Sequence, residues 1–561
     1  MSAELITRVY NNFRGVDFRG EEINLVRSPD SLNVFKDYTE TESIRTRPDL
    51  ELLESFQGEI WGIFFYTPGI TPMMLVHCGR ELYKVVDGTK EVIWNSLNEE
   101  RSQAFIYNNV WYFKDGKYYL QYDGTTIKQV EGYVPTTSIA RKPKSGGTTH
   151  EDINMLSDYR INTFLPDGEG TEFYLDAQDI DTDFAPEVKV NDEVVTNYTV
   201  DYEKGWITFK AAPEKPLTDG QDTISVKFKK TVEGYKEKIL GCTLLQVFDN
   251  RVFFSGNINY PNTIFHCSLN DPTYCSDLDY YSEGLDSAKV KGLVAGNNVL
   301  WVFKEPSQAN TTVFYHTPTI DSEYGKIYPS THSSVSTGCV GKAINFNDDI
   351  VFFSERGMEG INGDITTEQV VAHRSSLVDR KLIAEEKYEH MILEEWNGYL
   401  LVIIEDRVYL ADSRAMYTNE NHMEYEWFYW SLGKEINCTK VEKGVLYVGT
   451  VDGGVYTLTD TEGNVESYWV TPKDKFKYPH KLKTSNKRGC VAEATGDITV
   501  YARTEKTDFE LIGNYENVTD YFVSRIKRKK FKDIQLKFHS NTRFSLETVT
   551  LECFIGGYIK R

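Results

Sequence analysis

The side chains whose types and spacing could carry chemistry fall into a few groups. Asp176, Asp179, Asp181 and Asp183 lie within one short stretch. Carboxylates this close could offer several of the six to eight oxygens that Ca2+ takes. The stretch lacks the glycine and closing glutamate of an EF-hand loop, so a solvated acidic loop is the expectation. Ten histidines are dispersed without an H-E-x-x-H or H-x-H pair. Single ones such as His266 and His332 therefore read as structural. Cys78, Cys242, Cys267, Cys275, Cys339, Cys438, Cys490 and Cys553 form no C-x-x-C pair and read as buried thiols kept reduced in a cytosol. The stretch from Gly449 to Gly454 precedes no Lys-Ser/Thr at a helix start, so it reads as a hairpin rather than a phosphate cradle. One basic run stands out: Arg525, Lys527, Arg528, Lys529, Lys530 and Lys532. On a strand, Arg525, Lys527 and Lys529 would share one face and Arg528 and Lys530 the other. Such a run either guards an edge strand against aggregation or forms a docking strip for an acidic neighbour or DNA.

None of these groups assembles a nucleophile, an acid–base pair or a metal site at a recognised spacing. The expectation is a protein that is not an enzyme and takes no cofactor and no metal. Two rivals stay open. A glycan hydrolase needs only two positioned carboxylates, and 84 acidic residues leave room for them. A receptor-binding adhesin would recognise a host surface glycan through its propeller or its inserted module.

The elements that must position these residues read as strands. A polar pair followed by a run of β-branched and aromatic residues recurs along the chain. Asn108-Asn109 precedes Val110-Trp111-Tyr112-Phe113, and Asp249-Asn250 precedes Arg251-Val252-Phe253-Phe254. Asn297-Asn298, Asp348-Asp349, Asn397-Gly398 and Lys443-Gly444 precede similar runs, and a further unit runs from Met73 to Tyr83. The later units recur at roughly 45–50 residues, the length of a four-stranded propeller blade. Their Asn/Asp/Gly pairs suit two-residue hairpins. The fold class expected is all-β: a β-propeller of about seven blade-like units with an inserted small β-sandwich and a C-terminal β-domain. The boundaries read as an extended N-terminal arm and first strands over 1–58, first blades over 59–160, the inserted module over 161–232, remaining blades over 233–470 and the C-terminal domain over 471–561. The one helix candidate, Leu377 to His390, is short and charged.

Aromatic residues make up 13% of the chain and the formal net charge is −22. That balance argues against gripping nucleic acid by phosphate neutralisation, though it suits a wall past which DNA slides. The opening Met1-Ser2-Ala3-Glu4 lacks the basic and apolar regions of a signal peptide. The most apolar stretch, Ile60 to Tyr66, is too short to span a bilayer, so no membrane insertion is expected.

The opening carries the most specific pattern. Asn12-Phe13-Arg14-Gly15-Val16-Asp17 is followed by Arg27-Ser28-Pro29-Asp30-Ser31-Leu32-Asn33-Val34 and then by Ser43-Ile44-Arg45-Thr46-Arg47-Pro48. This resembles bacteriophage structural proteins that begin F-x-G-V/L-D, continue S-P-D-A-L-N and end K/R-R-P-G, with Asp49 here in place of the last glycine. Stretches at Asn257 to Thr273, Gly292 to Lys304, Phe352 to Gly363 and Phe531 to Arg561 are similar to the same group. The resemblance implies a tail nozzle, hub or stabilisation protein assembled in the host cytoplasm and carried in the virion tail. It implies a ring of copies, usually six, that extends and closes the DNA conduit. The partners it implies are further copies, portal and adaptor proteins, and distal tail or fibre proteins. It supplies no catalytic residues. The residues expected to touch a neighbouring subunit are Arg27, Arg45 and Arg47 of the arm, and Arg525, Lys527, Lys529 and Lys530 of the basic run.

Overall fold

Two-residue turns organise the strands. In a computed structural model, which describes residues 4–36, 38, 43–309, 312–322, 325–362, 369–419, 422–459, 463–526 and 530–558, the polar pairs take positive φ at both positions. Asn108 and Asn109 stand at 48° and 59°, Asp249 and Asn250 at 49° and 57°, and Asn297 and Asn298 at 55° and 59°. This is the type I′ geometry whose twist matches that of the strands it joins, and Asn, Asp and Gly tolerate it best. One expected turn shifts by a residue. Asn347 and Asp348 take the positive φ values, and Asp349 already belongs to the strand Asp349–Ser354.

These turns build seven four-stranded sheets, over 60–94, 103–129, 244–282, 290–332, 343–373, 392–431 and 436–459. They are the blades of a β-propeller fold. The sheet over 290–332 is interrupted by a hairpin of Thr319–Asp321 and Gly325–Ile327. The last blade takes its fourth strand from the other end of the chain: Asp49–Ser55 pairs antiparallel with Gly454–Thr459. Second strands such as Met73–Cys78, Val299–Lys304 and Tyr399–Ile404 are buried throughout, which is why they read as unbroken apolar runs rather than alternating ones.

The chain divides into two compact units, one of 1–65, 73–92 and 333–561, the other of 66–72 and 93–332. The second unit carries the inserted module. Its two sheets, of six and three strands, span 136–229 and enclose Phe164, Phe173, Val188, Ile207, Phe209 and Phe228. The alternation of buried and half-buried residues along Tyr159–Phe164 and Ile224–Lys229 is that of a sheet with one face in a core. The module begins upstream of 161, because Thr136–Arg141 pairs in parallel with Tyr159–Phe164.

The first unit carries the C-terminal domain, a ten-stranded sheet centred on Lys481–Thr504 and Phe544–Tyr558. Four N-terminal strands belong to it. Glu4–Tyr10 pairs with Phe544–Tyr558, Ser31–Leu32 with Ser467–Val470, and Val34–Lys36 with Ile44–Thr46. The arm expected over 1–58 is thus folded onto its own chain. The helix expected over 377–390 reduces to one turn, Asp379–Leu382, and a 3-10 turn, Tyr388–His390.

Candidate functional site

The N-terminal motif is held by a set of buried and half-buried polar contacts in the first unit. Gly15 stands at φ +121°, and a Cβ there would lie 2.0 Å from the Trp427 carbonyl oxygen. Only glycine allows that approach. Phe13 meets Trp469 edge to face at 5.1 Å, and the Asp17 carboxylate accepts from the Arg19 guanidinium at 2.8 and 2.9 Å. The Ser28 hydroxyl donates to the Val470 carbonyl at 2.7 Å. Asn33, in a left-handed conformation, accepts from Arg47 Nε at 3.0 Å and the Ser431 N–H at 2.8 Å, and donates to the Glu466 carbonyl at 2.9 Å. Gly15, Phe13, Ser28 and Asn33 therefore join the N-terminal segment to the sixth blade or the C-terminal sheet, while Asp17 braces the segment itself through Arg19.

Two of the expected contact arginines are spent inside the chain itself. Arg27 donates to both Glu426 oxygens at 2.6 and 2.7 Å and lies 4.4 Å over the Tyr417 ring. Its side chain is 9% exposed and that of Glu426 is fully buried. Arg47 donates to the Pro48 and Ser431 carbonyls as well as to Asn33. Burial pulls its pKa down to about 10, with Asp49 opposing. Neither guanidinium is available to a neighbour, which corrects the expectation for both. Arg45 is half-buried and lies over the Phe35 ring at 5.5 Å. Of the basic run, Arg525 and Lys530 are exposed in a loop after Tyr521–Ser524, not on a strand, while Lys527 and Lys529 lie outside the described residues.

Beside the motif lies a recess of about 210 Å3, lined by Asn12, Arg14, Lys36, Tyr38, Asp412 and Arg414 among others. Asp412 and Arg414 sit two apart in the middle of the blade strand Arg407–Asn419, where its register against the neighbouring strand shifts between Asp412 and Met416. The buried Asp412 carboxylate accepts the Tyr38 hydroxyl at 2.5 Å and the Arg414 Nε at 3.2 Å. Arg414 stacks 3.9 Å from the Tyr38 ring centroid, and Lys36 Nζ lies 5.2 Å from the same ring. Burial and then the Asp412 carboxylate push the Tyr38 phenol up, so it stays protonated. Arg14 lies 3.7 Å from Glu426, which Arg27 already engages, and keeps 40% of its side chain exposed. Three cations thus face one fully engaged carboxylate. The recess offers charge and hydrogen-bond donors for an anionic group. Its tyrosine is locked in the acid form, and its one carboxylate already accepts three donors, the Tyr38 hydroxyl, the Arg414 Nε and the Arg414 backbone N–H. Sequence reading missed Arg414, Tyr38 and Asp412, because their spacing signals only a shared strand face and an acidic turn.

The aspartate cluster does not converge on a cation site. Asp183 accepts Lys229 Nζ at 2.5 Å, and Asp181 accepts the Thr231 N–H and hydroxyl. Among the described residues no three His, Cys, Asp or Glu side chains are placed to hold a metal ion. His266 is enclosed by the Phe253, Tyr281 and Tyr328 rings, and His332 packs on Phe314. Among the described residues no helix is long and apolar enough to cross a membrane.

No family model and no curated protein matches the chain. Among solved structures it is similar to the computationally designed Ika8 protein, at 10% identity and a TM-score of 0.33 over 73% of this chain and 99% of that one. It is similar to BamB from Moraxella catarrhalis at 12% identity and a TM-score of 0.33, over 73% and 97%. A glycoside hydrolase aligns at 8% identity and a TM-score of 0.23, over 88% and 97%. At such scores the propeller assignment stands on the seven four-stranded sheets and their strand order alone.

Proposed function

We propose that this chain is a non-catalytic structural subunit of a bacteriophage tail, of the nozzle or tail-stabilisation kind. The observation that supports the reading is the role of the motif residues. Gly15, Arg27, Ser28, Asn33 and Arg47, which carry the sequence resemblance, all make the junction between the N-terminal segment, a blade and the C-terminal sheet. A pattern that encodes an architecture rather than a reaction fits a subunit selected for shape. In this reading copies surround the tail axis as a ring, six being the family habit, and DNA passes without being held. The net charge of −22 suits that passage, since an acidic wall repels phosphates. The exposed cations Arg14 and Arg414 of the recess, with Arg525 and Lys530, are the groups left to meet acidic side chains of a neighbouring copy or of portal, adaptor or fibre proteins.

Purified phage particles, mapped by peptide mass spectrometry and by antibody labelling in electron micrographs, test the reading. The protein is expected on the tail between the head and the distal fibres. Absence from intact particles overturns the proposal, and labelling confined to fibre tips favours a receptor-binding protein instead. Host polysaccharide incubated with the purified chain should release no reducing ends.

A further inference from the structure

In the second unit, Cys267 and Cys275 stand Sγ to Sγ at 2.8 Å, both without solvent exposure. They close the neck of the loop Ser268 to Tyr274, whose ends are joined by the Ser268 N–H donating to the Tyr274 carbonyl at 2.7 Å. The two cysteines flank that bond and face each other across it. Each backbone is anchored from outside the loop. The Cys267 N–H donates to the Val252 carbonyl at 2.9 Å, and the Cys275 N–H donates to the Asn154 side chain at 3.0 Å. Within the loop, Asp271 accepts from the Thr273 N–H and hydroxyl at 2.8 and 2.7 Å, and the Tyr119 hydroxyl donates to the Pro272 carbonyl at 3.1 Å. The sulfurs are thus brought together by backbone held in place on both sides. A disulfide needs them about 2 Å apart, so the pair has less than an ångström to close.

We propose that Cys267 and Cys275 are an oxidative modification site, joined as an intrachain disulfide when the chain meets a small-molecule disulfide such as oxidised glutathione. One cysteine thiolate attacks a glutathione sulfur and expels a glutathione thiolate, leaving a mixed disulfide. The second cysteine thiolate attacks the protein sulfur of that mixed disulfide and expels the other glutathione. The pair loses two protons and two electrons, and the glutathione disulfide leaves as two thiols. Both sulfurs are buried, and burial holds the Cys275 thiol well above its ordinary pKa. Exchange therefore needs the loop to open, or occurs while the chain folds. The loop can open because it lies at the surface, with Leu269 47% exposed. Once formed, the bond fastens the loop over Tyr119, Met155 and Phe254 in the core of this unit.

The test uses the full chain in two arms, synthesised and folded in an oxidising glutathione buffer, or folded reduced and then exposed to oxidised glutathione. Remaining thiols are alkylated and the peptides mapped. In at least one arm we expect a Cys267–Cys275 linked peptide, a mass lower by two hydrogens and a raised Tm that reductant abolishes. The variants Cys267→Ser and Cys275→Ala should show neither the mass change nor the reductant-sensitive Tm. Alkylation of both cysteines in both arms, stable glutathionylation without the internal bond, or a bond to another cysteine overturns the proposal. Mapping the unsubstituted chain keeps the test decisive even if a variant fails to fold.

Discussion

In the first unit, Glu426 is fully buried with Arg27 as its bidentate partner. Removing one member of a buried pair leaves the other charge without compensation. Glu426→Gln should cost about 3 kcal/mol or more, read as a lower urea midpoint for the transition of this unit. The paired change Arg27→Met with Glu426→Leu should recover part of it. In the second unit, His266 and Asp279 pull stability in opposite directions. Burial lowers the His266 pKa from 6.5 to about 4. Below pH 6.5 the unfolded chain binds a proton that the folded one refuses, so stability falls as pH drops from 6.5 to 4, by about 3 kcal/mol for this group. Burial raises the Asp279 pKa from 3.8 to about 6, against the pull of Arg251. Between those values the folded state keeps a proton the unfolded state has lost, so stability rises as pH drops through 6 and offsets part of the histidine loss. Asp279→Asn should therefore give a steeper fall of Tm from pH 7 to 4.5 than the parent chain, and parallel profiles would refute the offset.

The inserted module is bound to its unit by more than its two ends. Between its first strands and Tyr159–Phe164 the chain returns through Asn154, Met155 and Leu156, which sit in the same core as Cys267 and Cys275. Asn154 is 1% exposed. It donates to the Tyr133 and Thr273 carbonyls at 2.9 Å and accepts the Leu156 and Cys275 N–H groups at 3.0 Å. Asn154→Ala would strand several buried polar groups, each worth about 1–3 kcal/mol when left unmade. Tm should fall sharply, and protease should cut 150–158 before the blade strands. Excision of 164–230 takes away Ile224–Lys229, the antiparallel partner of Tyr159–Phe164. That deletion should yield aggregated protein. A soluble, protease-resistant product would show that the remaining strands re-pair.

At the scale of the whole molecule, the N-terminal segment supplies strands that close two separate structures. Asp49–Ser55 completes the last blade, and Glu4–Tyr10, Ser31–Leu32, Val34–Lys36 and Ile44–Thr46 belong to the C-terminal sheet. A chain starting at residue 56 should lose both the fourth strand of that blade and the packing of Tyr10, Phe13, Val34 and Ile44 against the C-terminal core. Limited proteolysis is the readout: the parent should resist over 436–558, and the truncated chain should be cut throughout that span. Adding the missing segment as a separate peptide should restore some protection, since its strands dock along existing edges. If the truncated chain resists as the parent does, the segment is an accessory arm.

The strands and their turns were legible in the sequence because both signals are local. Asn297-Asn298 and Asn397-Gly398 specify a turn that few other residues tolerate, and runs such as Val299 to Phe303 report burial directly. The propeller period follows from the same local signals, whereas the tie between the inserted sandwich and the blade core through Asn154 did not. Where Arg27 and Arg47 point was not legible, because an arginine in an extended segment looks the same whether it meets Glu426 some four hundred residues away or faces solvent. The recess at Arg14, Tyr38 and Arg414 was hidden for the same reason: its walls come from segments far apart in the chain and share no spacing. The contact between Cys267 and Cys275 lay between these cases, near in sequence but dependent on Asn154 and Val252 to hold their backbones. The sequence by itself determined the blade strands and the two-residue turns between them, apart from a one-residue shift at Asn347 and Asp348. Tertiary structure alone decided which charges are paired within the chain and which stay exposed, because pairing depends on distance and burial, and both are set only when distant segments meet.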